Sequence, residues 1–401
     1  MIIYQLFPIV KFKMKISAII CEFNPFHNGH KYLIERAKAM TECDRLVCIM
    51  SGSFTQRGEI CIMDKFARAR HAVLCGADAV IELPAAFAVA PAEIFASGAI
   101  KILSSVPEVT TVAFGCENDG RAEFLKSAEI LLNESESFKK TLESRLSGGE
   151  SYIKSCQKAF EAAGGDGEML AKPNNVLAVE YTKAILRTKK NIDICPVKRV
   201  GAGYNDGNLM ESFSSASAIR QNATSPLLKN NLPECVLNDL GDFSAANKRF
   251  EEYLRLILTR TDAEALKNIY GCREGLENKL KELAALSFNK IIASATSRRY
   301  SSARIKRILC ANFLGIFQPD CEEFLKNPLY IKPLAVNKQC ANEVLSALAK
   351  SEYPVLTKGR DKLNLNKIAK KCLDLDEFSY LQWQITAQKS GLANQDSLIF
   401  I

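Results

Sequence analysis

Short apolar runs alternate with segments of helical spacing through the first half of this 401-residue chain, and that alternation restricts it to a layered α/β architecture. Ile16-Ser17-Ala18-Ile19-Ile20-Cys21 reads as a buried strand. Asn24-Pro25 then demands a turn, because the residue before proline is biased away from helix. From Gly29 onward Leu33, Ile34, Ala37 and Met40 recur at helical spacing. Further strands are expected at Asp44–Met50, Asp78–Pro84, Thr110–Gly115 and Asp193–Val200. Helices are expected over Phe66–Leu74, Ala92–Leu103 and a long charged stretch, Glu123–Leu146, as one helix or two. The expected fold is α/β, with a parallel sheet and helices on both faces over residues 14–225. From 226 to 401 the pattern turns mostly helical, with two strand-like pieces, Tyr330–Ala335 and Tyr353–Leu356. Residues 1–13 lack a small-residue cleavage site after their apolar run and are expected to be a non-native or disordered extension.

Composition narrows the class. Hydrophobic residues make up 47% and charged residues 24%, as in soluble globular proteins. No apolar stretch reaches the roughly 18–20 residues of a membrane span. Ala85–Ile100 comes nearest, but Pro91 and Glu93 interrupt it, so no membrane partner is expected. Fourteen cysteines are scattered with no C-x-x-C pair and no zinc-ligand spacing. Buried reduced thiols and a cytoplasmic location are expected, with no metal site. The net charge of +8 permits a nucleic-acid partner without requiring one.

The chemistry-bearing residues cluster at strand ends, where ligands of parallel sheets bind. His27-Asn28-Gly29-His30 lies between the first strand and the first helix. Backbone donors and the helix dipole favour an anion there, and imidazoles can follow charge developing on a phosphate. A structural role for either histidine stays open on residue type alone. Met50–Glu59 is a small and polar loop in which Arg57 would be a fixed cation for phosphate or acetate, with Lys65 a second candidate. A solvated surface loop is the alternative. Phe213-Ser214-Ser215-Ala216-Ser217-Ala218-Ile219-Arg220 can hold a phosphate at a serine-capped helix start, or simply be a capped helix. Lys172-Pro173-Asn174-Asn175 and Lys198-Arg199 offer an amide for base or ribose and a cation for phosphate. Arg298, Arg299, Tyr300, Arg304, Lys306 and Arg307 suit an RNA backbone, with the tyrosine available for base stacking, unless they are only a solvated helix face. P-loop, G-x-G-x-x-G, G-x-S-x-G and H-E-x-x-H motifs are absent, which argues against kinase-type and hydrolase-type chemistry.

Taken together, these motifs resemble a known family. HxGH after the first strand and a late serine-rich segment ending in arginine resemble the HIGH-type nucleotidyltransferases. More specifically, Glu22–His30, Met50–Glu59, Val80-Ile81-Glu82-Leu83-Pro84 and Lys172–Asn175 resemble the tRNA(Met) cytidine acetate ligase family in order and spacing. The resemblance implies a Rossmann-like nucleotidyltransferase domain over 14–225 and a tRNA-binding domain over 226–401. It implies that ATP and acetate form acetyl-adenylate, which acetylates the wobble cytidine of elongator tRNA-Met. His27 and His30 would be catalytic, with Mg²⁺ assisting. ATP would be held by Ile20, Cys21, Glu22, Phe23, Asn24, Pro25, Phe26, His27, Asn28, Gly29, His30, Lys31, Tyr32 and Leu33, and by Gly115, Asn174, Arg199, Ser217 and Arg220. Ala216 and Ser217 depart from the commoner serine and threonine of the late motif. Two alternatives remain: adenylylation of a phosphorylated cofactor precursor, and tRNA binding without catalysis.

Overall fold

The computed structural model describes residues 14–200, 209, 212–389 and 398–401, so the 1–13 extension lies outside it. Seven strands form one sheet in the order β5-β4-β1-β2-β3-β6-β7. They are β1 (Ile16–Cys21), β2 (Arg45–Ser51), β3 (Ala79–Leu83), β4 (Val109–Cys116), β5 (Asp193–Lys198), β6 (Pro333–Val336) and β7 (Ile399–Phe400). All six residues of β1 are buried, as expected of a central parallel strand covered on both faces. β1 pairs in parallel with β2 on one side and β4 on the other. The chain therefore runs outward from β1 in both directions, and the crevice beyond the carboxyl ends of β1 and β4 is the topological switch point.

The helices that frame this crevice come from both halves of the chain. In the first half they are α1 (Asn28–Thr41), α2 (Lys65–Leu74), α3 (Ala92–Ser104), α4 (Pro173–Thr188) and the six-residue α5 (Ala216–Gln221). In the second they are α6 (Ser244–Arg260), α7 (Ser302–Leu314) and the long α8 (Lys367–Ala387). Pro173 opens α4, where a missing N–H costs nothing. The stretch read as one helix or two is two, Arg121–Leu132 and Glu136–Ser147, because Ser135 caps the second by accepting from Phe138 N at 3.2 Å.

The change of pattern at 226 is not a boundary in the packing. The first strand-like piece supplies β6, which joins the sheet antiparallel to β3 with Val80 opposite Ala335. The second makes only a bridge between Ile331 and Val355. Helix α8 is pinned to the first half at three points. Trp383 Nε1 donates to Cys61 O at 2.7 Å, Tyr380 Oη donates to Asp64 Oδ2 at 2.6 Å, and Ala85 N donates to Asp376 Oδ1 at 2.7 Å.

The expectation that Lys65 meets acetate or phosphate is corrected. Lys65 opens α2 with its side chain turned into the interior, where Nζ lies 2.7 and 2.9 Å from the two oxygens of Glu82 on β3. Lys65 is 1% exposed and Glu82 4%, so the ammonium has no surface to offer a ligand. Burial alone would raise the Glu82 carboxyl, but Lys65 and Lys332 outweigh it and hold it below its ordinary value. Removing Lys65 takes away the nearer ammonium and both of its hydrogen bonds, and leaves buried Glu82 with Lys332 at 3.6 Å. Lys65→Met is expected to cost about 3–5 kcal/mol of stability by urea denaturation, with the residues of the switch-point crevice left in place. A loss below 1 kcal/mol would contradict this account.

Candidate active site

The switch-point crevice holds a cavity lined by the ends of β1 and β4, by α4 and by the start of α5. His27 and His30 stand on its wall, and the spacing of H-x-G-H has a local physical cause. His27 is the N-cap of α1, and its Nδ1 accepts from Gly29 N at 3.1 Å. His30 returns the contact, its Nδ1 accepting from His27 N at 3.2 Å. This is the reciprocal logic of a capping box, made with two imidazoles. The rings stack with centroids 3.7 Å apart. A Cβ at position 29 would sit 2.9 Å from His27 Cε1, so glycine is needed between them.

The expected free backbone donors are corrected by this arrangement. Gly29 N is occupied by His27, and Asn28 N donates to Asn231 O at 3.0 Å. At the head of α1 the imidazoles of His27 and His30 line the cavity. Burial lowers His27 from 6.5 to about 3, with Arg199 and Arg220 adding repulsion. Burial also holds His30 well below its ordinary value, with His27 and Arg199 contributing. Both rings are neutral near pH 7. With each Nδ1 accepting a backbone N–H, each carries its proton on Nε2 as a donor.

The turn before the histidines is tightly held. Phe23 has a left-handed backbone (φ 50°), rare for a bulky residue, and with Phe26 packs against the His30 ring. Glu22 Oε1 accepts from Gln56 N at 2.6 Å, tying the end of β1 to the loop after β2. Burial raises the Glu22 carboxyl, opposed by the Gln56 contact, Arg57 and Arg220. Beneath both loops the fully buried Arg68 donates to Glu22 O at 2.6 Å, Ser51 O at 3.1 Å and Met63 O at 3.1 Å, and also to Gly52 O. Arg68 binds no ligand here; it cross-links the carboxyl ends of β1 and β2.

Of the predicted nucleotide contacts, Ile20, Cys21, Glu22, Phe23, Asn24, His27, His30, Leu33, Gly115, Asn174, Arg199, Ser217 and Arg220 line the cavity, and Arg57 joins them. Pro25, Phe26, Asn28, Gly29, Lys31 and Tyr32 are not among its lining residues: Phe26 is buried in the core, and Lys31 is exposed on α1. Asn174 Nδ2 donates to Glu117 Oε1 at 2.6 Å, so part of its amide serves the loop after β4. Sequence reasoning missed Arg68 and the apolar wall of Phe95, Leu177 and Tyr181. Asn174, Leu177 and Tyr181 recur at positions i, i+3 and i+7 of α4, a one-face spacing that could have found the last two.

The late serine segment reaches the same cavity. Ser215 Oγ accepts from Ala218 N at 3.1 Å, and Ser214 N donates to Asn231 Oδ1 at 2.8 Å, so part of its polar capacity is structural. Arg220 donates to Asn24 O at 2.7 Å and to Glu59 Oε2 at 2.8 Å. Glu59 also meets Lys306 of α7 at 3.3 Å. Gly58 (φ 71°) lies against the α7 backbone; a Cβ there would come within 2.5 Å of Lys306 C. The basic helix is thus docked on the loop after β2.

The basic segment divides. Arg298 and Arg299 are exposed, and Arg299 pairs with Glu274 at 2.8 Å. Lys306 and Arg307 face the loop, Arg307 donating to Gln56 O at 3.4 Å. The expected base stacking on Tyr300 is corrected. The ring is buried under the Arg304 guanidinium, 4.8 Å away, and its hydroxyl donates to Arg273 O and Glu274 O at 3.4 Å. Arg304 itself donates to Gly271 O at 2.9 and 2.6 Å.

A family model described as HIGH Nucleotidyl Transferase matches residues 14–396. A Clostridium kluyveri protein named tRNA(Met) cytidine acetate ligase is 36% identical over 383 residues, 89% of this chain and 94% of that one. The chain belongs to the tRNA(Met) cytidine acetate ligase family. An Acetivibrio thermocellus protein of the same name is 34% identical over 385 residues, 90% of this chain and 93% of its own. Among solved structures, Thermotoga maritima TmcAL in its apo form superposes with a TM-score of 0.89 at 26% identity, covering 97% of this chain and all of that one. The same protein bound with alpha-thio ATP gives a TM-score of 0.86. The expected membership of the acetate ligase family and the Rossmann-like sheet followed by helices are both borne out.

The neutral histidines carry a pH signature. His27 titrates at about 3 in the folded chain against 6.5 when exposed, so the unfolded state takes up the proton first as pH falls. Stability from neutral His27 is fully present above 6.5 and is lost as pH falls toward 3. The thermal midpoint is expected to drop through this window, and less steeply in His27→Gln. Equal slopes would show that His27 is not held neutral.

Proposed function

We propose that this protein joins acetate to a tRNA cytidine at the expense of ATP. Acetate oxygen attacks the α-phosphorus of ATP, the bond to pyrophosphate breaks, and pyrophosphate leaves with the electron pair. The exocyclic amine of the wobble cytidine in elongator tRNA-Met then attacks the acetyl carbon. The bond to AMP breaks, the nitrogen loses a proton, and N4-acetylcytidine results. No protein nucleophile is required; the task is to position the reactants and stabilise charge.

The observation that carries this reading is the pair of neutral Nε2 donors at the switch-point cavity, beside a docked basic helix. Donors on His27 and His30 match oxygens of the triphosphate as negative charge moves to the leaving pyrophosphate, and being neutral they do not depend on a proton supply near pH 7. Arg57, Arg199 and Arg220 line the same cavity as fixed cations. The apolar wall of Phe95, Leu177 and Tyr181 suits a purine ring. The names of the curated relatives and the ATP analogue in the Thermotoga protein support the same assignment. Exposed Arg298 and Arg299, with Lys306 and Arg307 nearer the cavity, would track the RNA backbone.

Mg²⁺ would arrive on the triphosphate and neutralise part of its charge. Among the described residues no group of three or more His, Cys, Asp or Glu side chains could hold a metal. Fourteen free cysteines suit a reducing, cytoplasmic setting. No helix among the described residues is long and apolar enough to cross a membrane.

AMP release is expected to need both acetate and elongator tRNA-Met, with labelled acetyl appearing in the tRNA. His30→Ala is expected to lower acetate-dependent ATP–pyrophosphate exchange by about 10²–10³-fold, by analogy with loss of a positioned donor, while circular dichroism stays unchanged. A folded His30→Ala enzyme with full exchange activity would overturn the assignment.

A further inference from the structure

A second cavity, of about 470 Å³, opens next to the first, and the two share Arg57, Glu59, Ser217 and Arg220 as a common wall. Pockets for small ligands run to about 300–1,000 Å³, so this one has room for a nucleoside. It lies between the loop after β2 and the helical half. Its floor is apolar: Phe250 of α6 and Phe288 line it from largely buried positions, the Phe250 ring packed on Phe54 and Phe313. Its rim is polar, with Gln221 at the end of α5 and with Asn247 and Glu251 on α6. Asn247 and Glu251 are four residues apart on that helix and so share one face. Lys306 of the basic helix closes the side nearest Glu59.

This combination fits one kind of occupant. An unstacked RNA base presents a flat face that can rest on an apolar floor and a donor–acceptor edge that meets polar side chains, and loop bases can be splayed out at small cost. Among pyrimidines, cytosine alone offers an exocyclic amino donor, for which a carboxylate is the matching acceptor. Resting on the ligase reading, we propose that the second cavity receives the base of the acceptor cytidine, with Glu251 accepting a hydrogen bond from its exocyclic amine and Asn247 meeting the same base edge. The shared wall then places that amine beside the cavity in which acetyl-adenylate forms. Lys306 takes a flanking phosphate. Cytidine selection is thereby separated from adenylate formation, since Glu251 and Asn247 line only the second cavity.

The test reads three quantities on the full-length enzyme: acetate-dependent ATP–pyrophosphate exchange without RNA, tRNA-Met binding by filter retention, and transfer of labelled acetyl to tRNA. Glu251→Ala and, separately, the surface substitution Asn247→Ala are expected to cut acetyl transfer on the order of ten-fold or more, the scale of a lost base-edge contact. Exchange is expected to stay within two-fold of wild type, as is retention of the tRNA, whose hold rests mainly on phosphate contacts. Transfer at the wild-type rate in both variants would overturn the proposal while leaving the ligase reading intact. Parallel loss of exchange and transfer would also overturn it, placing these residues in adenylation or folding. A wild-type enzyme with no acetate-dependent exchange would instead overturn the ligase reading, and this assignment with it.

Discussion

The reciprocal hydrogen bonds between His27 and His30 are the contact on which the site depends. Each Nδ1 takes a backbone N–H at the head of α1, which fixes ring orientation and leaves the proton on Nε2. The same bonds start the helix, so local folding and active-site geometry are one event. Burial keeps the rings uncharged, and the nearby Arg199 and Arg220 reinforce that state. A neutral donor costs less to bury than a cation, and it still strengthens as charge gathers on an oxygen.

Around this pair the molecule uses buried and half-buried charges as cross-links. Arg68 gathers carbonyls from the ends of β1 and β2, where the sheet opens into loops. Glu59 joins Arg220 to Lys306 and so couples the late serine segment, the loop after β2 and the basic helix. Lys65, Glu82 and Lys332 do the same deeper in the fold, between α2, β3 and the chain leading into β6. Removing Arg68 or Glu82 strands buried groups in low dielectric, which makes those positions sensitive to substitution. The cavity thus sits in a frame of paired ions, while its own anion-facing groups are mostly neutral donors and arginines.

Much of the first half was legible. Runs such as Ile16–Cys21 are apolar throughout because a central parallel strand is covered on both faces, and every strand expected before residue 200 is present with small shifts at its ends. The histidine motif was legible because a strand, an Asn-Pro turn and helical spacing succeed one another locally. The second half was harder. Tyr330–Ala335 reads as strand-like, but nothing near it says that β6 will pair antiparallel with β3, more than 250 residues earlier in the chain. Arg68 escaped notice because one arginine in a helical stretch looks like surface, and only the carbonyls around it show otherwise.

The sequence by itself determined the layered fold, the place of the histidine turn and the family, since each rests on patterns within a few tens of residues. The tertiary structure decided which polar groups remain available to a ligand. Lys65 and Tyr300 carry the right chemistry for phosphate and base, yet Glu82 claims one and Arg304 covers the other. The tertiary structure also created the second cavity, by bringing Glu251 and Asn247 beside Arg57 and Ser217. The physical reason is the range of the interactions. Backbone periodicity is local, whereas the partner of a half-buried charge, such as Glu59 for Lys306, lies 247 residues away and is known only once the chain has folded.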